Sequence, residues 1–140
     1  MRIMGVDFGE ARMGLALSDP TGLLAGGIGT FKVTGIKNAV KIVCEKAKEN
    51  DVSLVVIGLP KNMNGTEGDR AARSRKFAAM IEEASGLPTE LCDERRTTIL
   101  AAGYMSETGT FGKKRKESID TLSAQIILQT YLDKKKNLGF

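Results

Sequence analysis

The run Leu54-Val55-Val56-Ile57-Gly58-Leu59-Pro60 constrains the fold more than any other stretch of this chain. A continuous apolar run of this kind reads as a strand buried on both faces, the habit of a parallel sheet. Such a strand needs covering layers, and helical periods flank it. Ile36, Val40, Val43 and Ala47 recur at helical spacing before it, with Lys37, Lys41, Glu45 and Lys48 on the other side and Asn50-Asp51 as the stop. After it comes the loop Lys61-Asn62-Met63-Asn64-Gly65, then Thr66-Glu67-Gly68-Asp69, which reads as a helix N-cap with acids in the first turn. Phe77, Ile81 and Ala84 supply that helix's buried stripe, and Ser85-Gly86-Leu87-Pro88 ends it.

The N-terminal third has a different period. Residues 2–8 and 13–18 alternate as two strands joined by Gly9-Glu10-Ala11-Arg12, and a glycine-rich third strand runs through 27–33. Thr89–Asp93 reads as a short strand, 95–106 as a helix and 107–116 as an exposed loop. The last helix is expected from about Glu117 to Lys135, with Ile119, Leu122, Ile126 and Leu132 among its apolar positions. The succession βββαβαβαα gives a mixed α/β sheet with strand 1 central and strand 4 parallel to it. No repeat or linker divides the chain, so residues 1–140 read as one domain.

Composition narrows the chemistry. The chain has no histidine, which removes Ser-His and Cys-His nucleophile pairs, most zinc sites and the usual base near neutral pH. Cys44 and Cys92 have no metal-ligand spacing and suit a reducing compartment. No apolar run reaches membrane-spanning length and no signal peptide is evident, so a cytoplasmic protein without a membrane partner is expected. A net charge of +4 is compatible with an anionic partner.

The remaining candidates are acids. Strand alternation points Gly5 and Asp7 to one face and Met4, Val6 and Phe8 to the other. Gly5 leaves room for another element to approach, and the final helix offers Asp120 followed by the small residues Ser123 and Ala124. Asp93-Glu94 stands at the carboxyl end of the last strand, where open α/β sheets place ligand sites. Converging carboxylates repel one another unless a hard divalent cation such as Mg²⁺ or Mn²⁺ joins them. A pair of such ions roughly 4 Å apart can activate water and stabilise the leaving oxygen of a phosphodiester. The plainer reading makes Asp7 a turn acid, Asp120 a helix-start acid favoured by the dipole, and Asp93-Glu94 partners of Arg95 and Arg96.

Basic residues suggest where phosphates would run. Lys113-Lys114-Arg115-Lys116 precedes the helix of Asp120 as a phosphate clamp or a solvated loop. Arg70, Arg73 and Lys76 recur at helical spacing after the loop that holds Lys61 and Asn62, as a second phosphate-contacting edge or a wet helix face. Few aromatics are available for base stacking.

Four motifs, "GVDFGEARMGLALSD", "VVIGLPKNMNGTEGDRA", "CDERRTT" and "SIDTLSAQIIL", closely resemble the YqgF family of Holliday-junction-resolvase-like or pre-16S rRNA processing nucleases. The resemblance spans nearly the whole chain. It implies an RNase H-like fold with a five-stranded mixed sheet in the order 3-2-1-4-5 and helices on both faces. It also implies divalent-metal nuclease chemistry at Asp7, Asp120 and an acid of "DER", Asp93 or Glu94. The better-known resolvases of this fold carry an acid at the end of strand 4, where this chain has Gly58-Leu59-Pro60. Alternation allows only one of Asp93 and Glu94 to be a direct ligand, and Glu94 has the longer reach.

The expected function is therefore a metal-dependent endonuclease acting on structured RNA or branched DNA, with Asp7, Glu94 and Asp120 as ligands. A non-catalytic RNA- or ribosome-associated module is the alternative. Phosphate transfer of the sugar-kinase type is a third, disfavoured because those enzymes clasp nucleotide between two such domains. Oligomeric state is open, a homodimer included.

Overall fold

The computed structural model describes residues 2–61, 64–93 and 112–137, and only the backbone path for 112–118 and 137. Strands β1 (Arg2–Phe8), β2 (Arg12–Ser18) and β3 (Ala25–Lys32) are followed by α1 (Ile36–Glu49), β4 (Val52–Leu59), α2 (Asp69–Ser85), β5 (Thr89–Asp93) and α3 (Gly112–Asn137). The five strands form one sheet in the order β3-β2-β1-β4-β5. β1 pairs antiparallel with β2 and parallel with β4, as the hairpin signal and the two-sided apolar run required. The RNase H-like order expected from the resemblance is present.

The sheet is covered differently on its two sides. Met4, Val6 and Phe8 of β1, Met13 and Leu15 of β2, and Val55 and Ile57 of β4 face α1 and α2, forming the larger core. α1 contributes Ala39, Val40, Val43 and Ala47, the stripe the spacing predicts from Val40 onward. α2 buries Ala71, Ser74, Phe77, Ala78 and Ile81, whereas Ala84 is exposed. Phe77 is fully buried and stacks on Phe8 with ring centroids 4.1 Å apart. On the other side Ile3, Ala16 and Val56 meet Ala124, Ile127, Leu128 and Leu132 of α3.

Three local expectations change. Gly68, not Thr66, caps α2, because the Asn64 side chain accepts bonds from the Thr66 N–H and hydroxyl and holds them in a turn. The last helix starts at Gly112, so 112–116 are helical rather than part of an exposed loop; lysine and arginine are good helix formers and prolong it. Its buried face is centred on Ser123, Ala124, Ile127 and Leu128, while Ile119, Leu122 and Ile126 are only half-buried. The expected helix at 95–106 and residues 107–111 lie outside the described residues. Among the described residues no helix is long and apolar enough to cross a membrane.

Candidate active site

The α3 side of the sheet is built for close approach. Asp7 on β1 is in register with Gly14 on β2. A Cβ on Gly14 would collide with the backbone carbonyl of Asp120, and one on Gly5 would lie 2.6 Å from Cβ of Leu128. Directly opposed residues on neighbouring strands hold their Cβ positions roughly 5 Å apart. The backbone of Asp120 therefore sits over the immediate cross-strand neighbour of Asp7, on the same face of the sheet. Any side chain at position 14 would lift the helix away from that place.

Asp7 is half-buried at the end of β1, and the Asp120 side chain keeps 23% exposure. Because α3 begins at Gly112, Asp120 lies about two turns inside the helix. The dipole acts within the first turn, so the plain reading of Asp120 as a helix-start acid does not hold. Its carboxylate is instead held from the sheet: Arg12 Nε donates to Asp120 Oδ2 at 2.7 Å. Arg12 stands two residues before Gly14 on the same face of β2. This partly exposed pair contributes on the order of 1 kcal/mol or less to stability. Its larger effect is to fix the direction of the Asp120 carboxylate and balance its charge.

Further bonds fix α3 laterally. Thr121 and Thr30 share a hydroxyl hydrogen bond of 2.7 Å. The Gln125 side-chain amide donates to the Ala25 carbonyl, and Gln129 Oε1 accepts from the Ala25 N–H at 2.8 Å. β3 is thereby tied to the helix, and the position of Asp120 relative to β1 and β2 is set by three strands.

The candidates from the carboxyl end of β5 divide. Cys92 faces α3, with its Sγ 4.0 Å from the Ile127 carbonyl. Alternation then puts Asp93, exposed and in register with Leu59, on the α1–α2 side, opposite Asp7. Glu94 lies outside the described residues. Among the described residues no group of three His, Cys, Asp or Glu side chains comes together for a metal. Asp7 and Asp120 are hard oxygen donors on one face, and that donor chemistry suits Mg²⁺ or Mn²⁺.

The basic candidates also separate. Lys113–Lys116 occupy the first turns of α3, ahead of Asp120. Lys61 forms an isolated bridge with Glu67, and Asn62 lies outside the described residues. Arg70 and Arg73 are in the first turns of α2, at the edge of the sheet where β1 and β4 end. Arg12 was not singled out by sequence reasoning. The available signal was its place two residues before a glycine on a strand whose next same-face residue is Ala16, a pattern that leaves a long side chain free to reach a helix lying close above.

Residues 1–134 match the family model described as "RuvX: Holliday junction resolvase". The chain is 43% identical over 141 residues to a protein of Leuconostoc mesenteroides named "Putative pre-16S rRNA nuclease", covering 99% of both chains. It is 46% identical to a Listeria innocua protein of the same name, over 95% of this chain and 98% of that one. Among solved structures it is similar to Thermus thermophilus RuvC, with a TM-score of 0.58 at 13% identity over 98% of this chain and 97% of the other. A fowlpox virus resolvase solved with Holliday junction DNA superposes with a TM-score of 0.57 at 14% identity, over 96% of this chain and 98% of that one. At such identities these two structures speak for the shared fold alone.

Proposed function

The chain belongs to the RuvX/YqgF family, and on that premise we propose that it is a divalent-metal-dependent endonuclease hydrolysing phosphodiester bonds in structured nucleic acid. The names of its curated relatives make pre-16S rRNA the first substrate to try, and the description of the family model makes four-way DNA junctions the second. The observation that carries the reading is the seating of Asp120 over Gly14, the cross-strand neighbour of Asp7. It puts two carboxylates on one glycine-lined face at the end of the central strand.

Asp7 and Asp120 are assigned as metal ligands. The third ligand is assigned to Glu94 rather than Asp93, since Asp93 belongs to the opposite face by strand alternation. Bound there, Mg²⁺ or Mn²⁺ would supply Lewis-acid polarisation of the phosphate and activation of water. The chain's own part is positional. β1 and α3 hold the two acids rigidly, and Arg12 keeps the Asp120 carboxylate oriented and its charge balanced. Lys113, Lys114, Arg115 and Lys116, preceding Asp120 on the same helix, are assigned to flanking phosphates of the substrate.

The test uses purified protein with structured RNA and four-way DNA junctions, in Mg²⁺, in Mn²⁺ and in chelator. Cleavage is expected with either ion and lost with chelator. Asp7→Asn should abolish cleavage with the fold intact, because it removes a charged ligand at nearly constant volume. Undiminished cleavage by Asp7→Asn would falsify the assignment of this acid.

A further inference from the structure

On the side of the sheet away from Asp7, yet at the same end of β1, lies a small depression lined by Phe8, Gly9, Glu10, Arg70, Arg73 and Ser74. The Arg73 guanidinium lies over the Phe8 ring, 5.1 Å from its centroid, and Phe8 is itself stacked on Phe77. A planar cation is thus fixed by two rings of the larger core. Its Nε is buried and has no hydrogen-bond partner. Arg73 is only half-buried and lines the depression, so an outside acceptor would meet the outer part of its stacked guanidinium rather than the buried Nε.

The neighbouring arginines favour an anionic acceptor. Arg70 stands one turn before Arg73, and neither forms an ion pair among the described residues. Arg75 on the same helix behaves differently: its Nε and Nη2 each donate to Glu67 at 2.8 Å, so its charge is already matched. The first turn of α2 has no side-chain cap on its N–H groups, and Asp69 is the acid that stands at that positive end. Glu10, exposed at the β1–β2 turn, is the opposing charge of the lining.

Size selects among anions. The depression is partly open and holds about 20 Å³, close to what a single water needs and far short of a base. One oxygen of a phosphate fits it while the rest of the group stays in the mouth beside Arg70. We infer that Arg70, Arg73 and the Gly9-Glu10 turn form a subsite for one backbone phosphate of the bound nucleic acid. It lies beyond the scissile position and holds the strand where it passes over the carboxyl end of β1. This subsite rests on the nuclease reading and specifies how the substrate is gripped on the sheet face away from the acids.

The experiment measures binding of an RNA hairpin and of a four-way DNA junction at several salt concentrations without divalent metal. Wild type, Arg70→Gln, Arg73→Gln, Arg73→Lys, Glu10→Gln and Arg75→Gln are compared. For the wild type, log K should fall linearly with log[salt], and each of Arg70→Gln and Arg73→Gln should lower the slope's magnitude by about 1 on the DNA junction. Arg73→Lys keeps the charge but loses the stacked fork, so affinity should drop with the slope little changed. Glu10→Gln should tighten binding, and Arg75→Gln should behave as wild type. In labelled protein the Arg73 Nε–H resonance should shift when oligonucleotide is added and stay put with an uncharged nucleoside. A wild type with salt-dependent binding, together with unchanged slopes in both glutamine variants and a stationary resonance, would overturn the subsite alone. A wild type with no salt-dependent binding to either probe would overturn the nuclease reading as well. A melting curve for each variant guards against unfolding, and exposed Arg70 supplies the decisive substitution should Arg73→Gln fail to fold.

Discussion

The two faces of the sheet are assembled on opposite principles. Toward α1 and α2 the strands present Met, Val, Phe, Leu and Ile, and the interface is filled by volume, with Phe77 and Phe8 stacked within it. Toward α3 they present Gly5, Gly14 and Ala16 beside a smaller apolar cluster of Ile3 and Val56, and near Asp120 the helix is held close by absence of side chains and by polar bonds. Large apolar packing stabilises but tolerates small shifts, since side chains can repack. Backbone-to-backbone approach has no such latitude. A face that must hold two carboxylates in fixed relation is therefore better made from glycine and hydrogen bonds than from leucine.

Phe77→Ala breaks the comparison on the volume side and should have the largest effect. It empties a fully buried ring and the stack on Phe8, and a loss of about 3–5 kcal/mol in denaturant-measured stability is expected. A loss below about 1 kcal/mol would mean that the two sides are not packed differently after all.

On the close-approach side, adding one methyl should be nearly as harmful. Gly14→Ala drives a Cβ into the Asp120 carbonyl and should cost about 3 kcal/mol. Gly26→Ala, on β3 with nothing within 4 Å of its added Cβ, should fall within about 0.5 kcal/mol of wild type. Thermal melts of the two variants side by side sharpen the contrast: equal effects would show that α3 does not need its glycine floor.

The smallest effect concerns the far end of α3. Burial and the adjacent Glu90 carboxylate push the Tyr131 phenol up to about 12. Because the folded value exceeds the ordinary value near 10, the neutral phenol favours the folded state. That contribution is complete below about pH 10 and fades as pH rises toward 12. Ultraviolet titration of a Tyr104→Phe protein should show one phenol ionising near 12, moving down toward 10 when Glu90→Gln is added. A midpoint at 10 with Glu90 present would mean that the α3–β5 contact is looser than the glycine-floored contact with β2.

Much of the architecture was legible from local patterns. Alternation in 2–8 and 13–18, the unbroken apolar run of β4 and the stripe of α1 each depend on residues adjacent in sequence, and the elements formed where those patterns lie. Alternation alone also placed Gly5 and Asp7 away from Met4, Val6 and Phe8. The candidate site was legible in part. Asp7 and Asp120 were identifiable as acids that a close-packed helix could bring to one face, but the partner of Asp120 was not, because Arg12 is 108 positions away. The sequence puts the start of α3 at 117 because a basic run after glycines reads as solvated loop, whereas the helix begins at Gly112 because those residues have good helix propensity.

The sequence by itself determined which segments alternate and which wind, hence the element order and the faces on which side chains emerge, since those follow from backbone periods of two and 3.6. Only the tertiary structure decided what those faces meet. Asp120 is a site candidate rather than a helix-start acid because α3 extends to Gly112 and lies on Gly14. Arg73 is a stacked, half-buried cation rather than a wet-face one because Phe8 happens to sit beneath it. Both outcomes depend on distances between strands and helices far apart in the chain, and no local period carries that information.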